Sequence, residues 1–249
     1  KTGSVWVRTV SGTTTATIDV ADGGVKTVSI TEEWQRVTTT YTPNNAYEFF
    51  DIYFPSPTTI YYWGVQIEEG AFMTSYIPTY NAQGTRGGDN IVIDGQDFLD
   101  FYNPVESTIL VDYSHFDGVT GTNLGTNARL YRFRATGGAD TRIDYVTNTG
   151  YNPYIAKDGG AVASISHGQS TVFGGGLNRN AVRVKENSFA VSFNGSTVVE
   201  DTSGAWPPDN AMDHVSIGGM AAHYLNGHVQ RFTYYPTGVS NSQLVTLTS

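Results

Sequence analysis

Trp63–Thr79 reads WGVQIEEGAFMTSYIPT, and its passage from strand to turn to extended tail decides how the chain is divided. Just upstream, Ile60, Tyr62 and Gly64 alternate with Tyr61, Trp63 and Val65, the two-residue period of a β-strand. The acidic turn Glu68-Glu69-Gly70 ends that strand, and Tyr76-Ile77-Pro78-Thr79 leaves it in extended form. The polar run NAQGTRGGDN over 81–90 has no period and reads as part of a linker. Strand patterns then resume at Ile91. The segment is a seam that closes one unit and opens another.

On the N-terminal side, Val5 and Val7 alternate with Trp6 and Arg8, and Ser11-Gly12 makes a turn. Ala16, Ile18 and Val20 share one apolar face, followed by Val25, Val28 and Ile30. Gln35–Tyr41, Tyr47–Phe54 and Thr58–Ile67 complete a string of short strands. On the C-terminal side, Thr108–Tyr113 has the continuous apolar run of a buried strand, and Leu130–Arg134, Ile143–Val146, Val182–Val184, Phe189–Phe193, Val215–Ile217 and Val229–Tyr235 follow. Asn194-Gly195, between VSF and STVV, suits a type I′ hairpin turn. The tail NSQLVTLT after Pro236 fits one short helix capped by Ser240 or Asn241, and no other helical period of useful length is present. The expected fold is all-β, with two β-sandwich (jelly-roll-like) domains over 1–79 and 91–249 and a linker at 80–90.

Composition narrows the function. The 249 residues include 23 Asp and Glu against 14 Lys and Arg, a formal net charge of -9. That balance argues against nucleic acid, whose phosphates need a basic footprint, and against an anionic membrane surface. A neutral or weakly charged ligand fits better. With no Cys, disulfides, thiolate metal sites and a Cys nucleophile are excluded. No apolar run reaches transmembrane length, and KTGSVWVRT at the start has no signal-peptide core. The chain enters directly on a strand, as if cut from a longer polypeptide.

Three pieces of the first unit carry a resemblance: SVWVRTVSGT, EEWQRVTTTYT and WGVQIEEGAFMTSYIPT. They resemble the end of a carbohydrate-binding-module-like jelly roll found in bacteriophage fibre proteins, whose closing pattern is W-G-x-Q-x-E-x-G-x-x-x-T-S-Y-I-P-T followed by T-R-x-x-D. Thr85-Arg86-Gly87-Gly88-Asp89 supplies that follow-on. Such jelly rolls carry strands before SVWV, so the resemblance implies an N-terminally truncated domain. In the second unit, STILVDY, NSFAVSFNGSTVVEDTSGAW and GHVQRFTYYPTGVSNSQLVTLT resemble a concanavalin A/laminin-G-like lectin sandwich. The pair implies a tail- or head-fibre component: a virion protein, commonly a homotrimer assembled with other virion proteins, that binds bacterial surface polysaccharide without nucleic acid or membrane insertion. The alternatives are a polysaccharide depolymerase domain and a purely structural oligomerisation module.

Candidate site residues divide by context. Trp63, mid-strand beside Tyr62 and Val65, and Trp34, beside a turn, are expected to pack in a core. Trp206 sits in the Gly- and Pro-rich loop Gly204–Asp209, where it either offers a flat face to a pyranose or plugs the end of the sandwich. Tyr151, Tyr154, His223 and Tyr224 lie in loop-like stretches and offer stacking and hydrogen bonds, with ordinary turn chemistry the plainer reading. Arg132 and Arg134 share one strand face and face Arg142 and Asp144 if those strands pair, as a cradle for an acidic sugar or, more plainly, a solvated ion-pair face. Asp89, Asn90, Asp94 and Asp97 cluster with glycines, which leaves a structural Ca²⁺ as the one cofactor to consider, though their spacing fits no Ca²⁺ loop and a linker turn is the expectation. Catalysis lacks a signature. No E-x-D-x-x-E strand occurs, Glu32-Glu33 and Glu68-Glu69 are adjacent and so point apart within a strand, and neither H-E-x-x-H nor G-x-S-x-G is present.

Overall fold

The computed structural model describes all residues except 22, 43–48, 90, 117–127, 136–141, 148–151, 158–159, 166–175, 207–211 and 221–222. At 142–147, 152–157, 160–161, 164, 220 and 223 the description extends to the backbone alone. The chain forms two units, Lys1–Arg86 and Gly87–Ser249, dividing within the polar run. Both are built of β-sheets, as the alternating patterns require.

Among its described residues the first unit has six strands: β1 (Thr2–Thr9), β2 (Thr14–Val20), β3 (Lys26–Ile30), β4 (Gln35–Thr40), β5 (Phe50–Tyr53) and β6 (Ile60–Glu68). They form two three-stranded sheets, in the orders β4-β1-β6 and β3-β2-β5. Period-2 patterning fixes which side chains meet between them. Val5 and Val7 from β1, Ala16, Ile18 and Val20 from β2, Ile30, Val37 and Tyr41 are all buried in one core. Val25, expected to join that face, lies before β3 and is 63% exposed. β1 pairs with β6 in antiparallel register from Thr2↔Glu68 to Thr9↔Ile60, with a bulge between Ser4 and Trp6. Gly64 takes the extra residue at φ +64°, a left-handed conformation that glycine adopts without steric cost.

The second unit holds the remaining strands. One sheet contains β7 (Ile91–Asp94), β9 (Ala128–Arg134), β10 (Arg142–Thr147), β11 (Asn152–Lys157), β12 (Gly160–Ser164) and β16 (His214–Ile217), in the order β12-β11-β10-β9-β16-β7. The other contains β8 (Glu106–His115), β13 (Asn178–Lys185), β14 (Phe189–Phe193), β15 (Val199–Asp201) and β19 (Gly227–Tyr235), in the order β15-β14-β13-β8-β19. A two-stranded ribbon of β17 (Gly219–Met220) and β18 (His223–Tyr224), and helices α1 (Gly95–Leu99) and α2 (Asn241–Thr248), complete it. Tyr113, Tyr131, Phe133, Phe189 and Phe193 fill the main core. On the far side of the second sheet, Leu244 of α2 covers Leu110, Ala181 and Ala190. The helix starts at Ser240 with a capping box, in which the Gln243 N–H donates to Ser240 Oγ and the Ser240 N–H donates to Gln243 Oε1. Asn194 and Gly195 both have positive φ, 46° and 71°, and the Ser196 N–H donates to the Phe193 carbonyl at 3.0 Å, the type I′ geometry expected.

Two local expectations need correction. The five-residue helix α1 was outside the reach of any periodicity argument. Tyr154 lies within strand β11 rather than in a loop. Pro153 is tolerated there because β12 pairs only with Tyr154–Lys157, which leaves Pro153 at an unpaired edge on that side.

Candidate functional site

The outer face of the β4-β1-β6 sheet gathers several exposed aromatic residues of the first unit. Because Val5 and Val7 point into the core, Ser4, Trp6 and Arg8 point away from it, and their register neighbours Trp63 and Tyr61 do likewise. Trp63 is 47% exposed and Trp34 44% exposed, so the core role expected for both is corrected. The physical reason is topological. β6 is an edge strand in the order β4-β1-β6, and the packed core of the unit lies against the opposite face of that sheet.

These rings are ordered by one another. Trp63 and Trp6 stack with centroids 5.8 Å apart and planes 2° from parallel, and Tyr76 meets Trp63 edge-on at 5.6 Å. Farther along the sheet, the Arg8 guanidinium carbon lies 4.9 Å from the Tyr61 ring centroid and 5.4 Å from that of Trp34. Cation–π contacts of this kind contribute about 0.5–1 kcal/mol each at exposed sites.

The other end of the same face is roofed by the chain itself. Gln66 Oε1 accepts from the Ile77 N–H at 2.7 Å, and Glu68 Oε1 accepts from the Thr74 N–H at 3.0 Å. Arg36 donates to the Thr74 carbonyl and to Ser4 Oγ. Burial lowers the Arg36 pKa from its ordinary value, and the nearby Glu68 opposes that. The Gln, Glu, Thr and Tyr of the Trp63–Thr79 pattern thus act together as a fold-back clasp. It fixes Tyr76 against Trp63 and leaves the aromatic end of the face open.

The residues expected to bind sugar are placed elsewhere. Trp206 is 5% exposed, and its Nε1 donates to the Pro104 carbonyl at 2.5 Å. Its ring meets the edge of Phe189 at 6.4 Å. Its loop is anchored at Gly204, which has φ +132° and where a Cβ would fall 2.6 Å from the Val162 carbonyl oxygen. With no face left to water, Trp206 is a plug of the sandwich rather than a sugar platform. Tyr224, 37% exposed, lies on the Gly88 backbone so closely that a Cβ there would fall 2.2 Å from its ring. His223 is its neighbour in β18. Tyr151 and Asn90 lie outside the described residues. Asp94 is the N-cap position of α1 without a side-chain cap bond, and Asp97 lies in the first turn of that helix. Among the described residues no group of three or more His, Asp or Glu side chains is placed to hold a metal ion.

β9 and β10 pair as the arginine pattern requires, with Arg132 opposite Asp144 and Arg134 opposite Arg142. Arg132 is buried and Arg134 half-buried.

No family model matches the chain, and no curated protein matches it. Among solved structures it is similar to the CBM40 of a Ruminococcus gnavus IT-sialidase bound to alpha2,3 sialyllactose, at 17% identity and TM-score 0.49, over 59% of this chain and 83% of that one. It is also similar to a Trypanosoma rangeli sialidase in complex with sialic acid (13% identity, TM-score 0.47), over 65% of this chain and 26% of that chain. A SAP-like pentraxin from Limulus polyphemus matches at 12% identity and TM-score 0.41, over 58% of this chain and 70% of its own.

Proposed function

We propose that the protein binds polysaccharide without catalysis, through the open aromatic end of the first unit's outer sheet face. The observation that carries this reading is the group Trp63, Trp6, Tyr61 and Trp34, held in fixed positions while Trp63, Tyr61 and Trp34 each keep more than 40% of their surface in water. Exposed aromatic rings in a rigid array cost little entropy to use and present apolar surface beside hydrogen-bonding groups, the combination a sugar ring needs. The resemblance of SVWVRTVSGT and WGVQIEEGAFMTSYIPT to phage-fibre jelly rolls supports placing the protein in a virion fibre, facing bacterial surface polysaccharide. There it would act as a homotrimer, with linked weak sites giving avidity without new contacts.

The test is glycan binding by wild type and Trp63→Ala. Trp63 is about half exposed, so truncation leaves the fold largely intact, while loss of a stacking ring at the centre of a site weakens binding by about 10-fold or more. Unchanged affinity removes the site. Release of oligosaccharide from capsule incubated with the protein overturns the non-catalytic reading, and a monomer in sedimentation overturns the trimer.

A further inference from the structure

We infer that the glycan taken by this face is acidic, and that Arg8 receives its oxyanion. The inference rests on the aromatic face being the binding site. It departs from the expectation of a neutral or weakly charged ligand drawn from net charge, because what a ligand meets is the local arrangement of charge.

Several cationic side chains elsewhere in the described residues are matched to carboxylates. Arg231 meets Asp112 at 3.0 Å, Arg183 meets Glu200 at 2.5 Å, Lys185 meets Glu106 at 2.8 Å and Lys1 meets Glu69 at 3.0 Å. Arg36 has Glu68 beside it. Among the described residues Arg8 has no carboxylate within ion-pair distance. Its one hydrogen bond is a long one, 3.4 Å, from Nη1 to the backbone carbonyl of Glu32. The Glu32 side chain is turned to the Gly12 N–H, with Oε1 2.6 Å from that nitrogen.

The guanidinium lies against the rings of Tyr61 and Trp34, and its Nε is buried. With Nε buried and Nη1 making one long bond, the Nη1–Nη2 edge is the part left to meet a ligand. That edge is a planar fork of N–H donors, matched to a carboxylate or phosphate in bidentate geometry. A sugar stacked along the Trp63–Tyr61 side of the face would bring a substituent to Arg8, the register partner of Tyr61. The ligand class is therefore a polysaccharide bearing uronate carboxylates or phosphodiesters, recognised by rings for its sugar and by Arg8 for its charge. The fixed fork also makes lysine a poor substitute.

The test uses the full chain on an array of bacterial surface polysaccharides, neutral, carboxylated and phosphorylated, with Arg8→Gln, Arg8→Lys and Trp63→Ala beside wild type. The expected result is binding confined to acidic polymers, a drop of about 10- to 100-fold in Arg8→Gln, as loss of a charge-assisted hydrogen bond implies, and partial retention in Arg8→Lys. Carboxyl reduction of a bound uronate polymer should abolish its advantage, and retention of binding by phosphorylated polymers would identify phosphate as the partner. Near-UV circular dichroism of each variant reports whether the Trp34–Tyr61 clasp has survived, and Arg8→Lys keeps the test valid if the Gln variant has rearranged. Binding to neutral polymers that Arg8→Gln leaves unchanged but Trp63→Ala weakens overturns the inference and keeps the site. Acidic binding indifferent to both substitutions overturns both.

Discussion

Replacing Trp206 with alanine should cost stability and leave glycan binding per folded molecule untouched. Trp206 is 5% exposed, in contact with Phe189 and the main core of the second unit. Truncating a buried tryptophan costs about 3–5 kcal/mol through lost burial and the cavity left behind. The Pro104 carbonyl also loses the indole N–H, adding about 1 kcal/mol. For a unit of this size each kcal/mol lowers the midpoint by about 2–4 °C, so the second unit should melt roughly 8–24 °C lower. Differential scanning calorimetry measures this directly, and Trp206→Phe, which keeps a ring but no donor, should fall between. A midpoint within about 2 °C of wild type together with lost glycan affinity would refute the reasoning, since it would mean that the ring spends its free energy on a ligand rather than on the core.

Two further outcomes concern the second unit. Ser240→Ala removes the hydroxyl that accepts from the Gln243 N–H and dismantles the capping box of α2, and should cost about 1 kcal/mol by urea denaturation; no change would show that packing of Leu244 alone holds the helix. His115 is buried, and burial depresses its imidazole to about 4 from the ordinary 6.5, against the opposing carbonyls of Leu225 and Asn226. Between those values the unfolded chain binds the proton and the folded chain does not, so stability is complete above pH 6.5 and falls toward pH 4, by up to about 3 kcal/mol. Denaturation at pH 7.5 and 5.5 should show about 1.3 kcal/mol of that loss in wild type and a flatter slope in His115→Asn, and equal slopes would refute it.

The sheets were legible in the sequence because period-2 patterning states which residues share a face. Val5 with Val7, Ala16 with Ile18 and Val20, and the run Thr108–Tyr113 all occupy the cores their spacing implied. The α2 cap was legible for the same reason, since Ser240 and Gln243 carry the chemistry of a helix start. Which face of a strand is covered was not legible. Trp63 follows the strand alternation faithfully and still faces water, because edge position is a property of the whole sheet and not of its local sequence. For Trp206 the sequence left two readings open, and the close approach of Gly204 to Val162 is what shows the loop folding inward. Arg8 was invisible as a site residue, because its neighbours Trp34 and Tyr61 come from distant stretches joined by the β1-β6 pairing and the turn before β4.

The division of labour on the first unit's outer face has a consequence for specificity. Gln66 and Glu68 are committed to the backbone of Ile77 and Thr74, and Gly64 lies beneath the Trp6 and Tyr76 rings, where a Cβ would already be in contact at 3.4 Å. Those residues of the Trp63–Thr79 pattern are occupied in folding the chain back on itself. Of the aromatic residues in the pattern, Trp63 and Tyr76 keep substantial surface free. The remaining members of the open end, Arg8, Trp34 and Tyr61, fall outside it. A chain can therefore keep the pattern, and with it the architecture, while changing Arg8, Trp34 and Tyr61, three of the positions proposed to meet a sugar. The pattern marks how the sheet is closed, and under the proposed reading the choice of glycan belongs to β1, the turn before β4 and the first residues of β6.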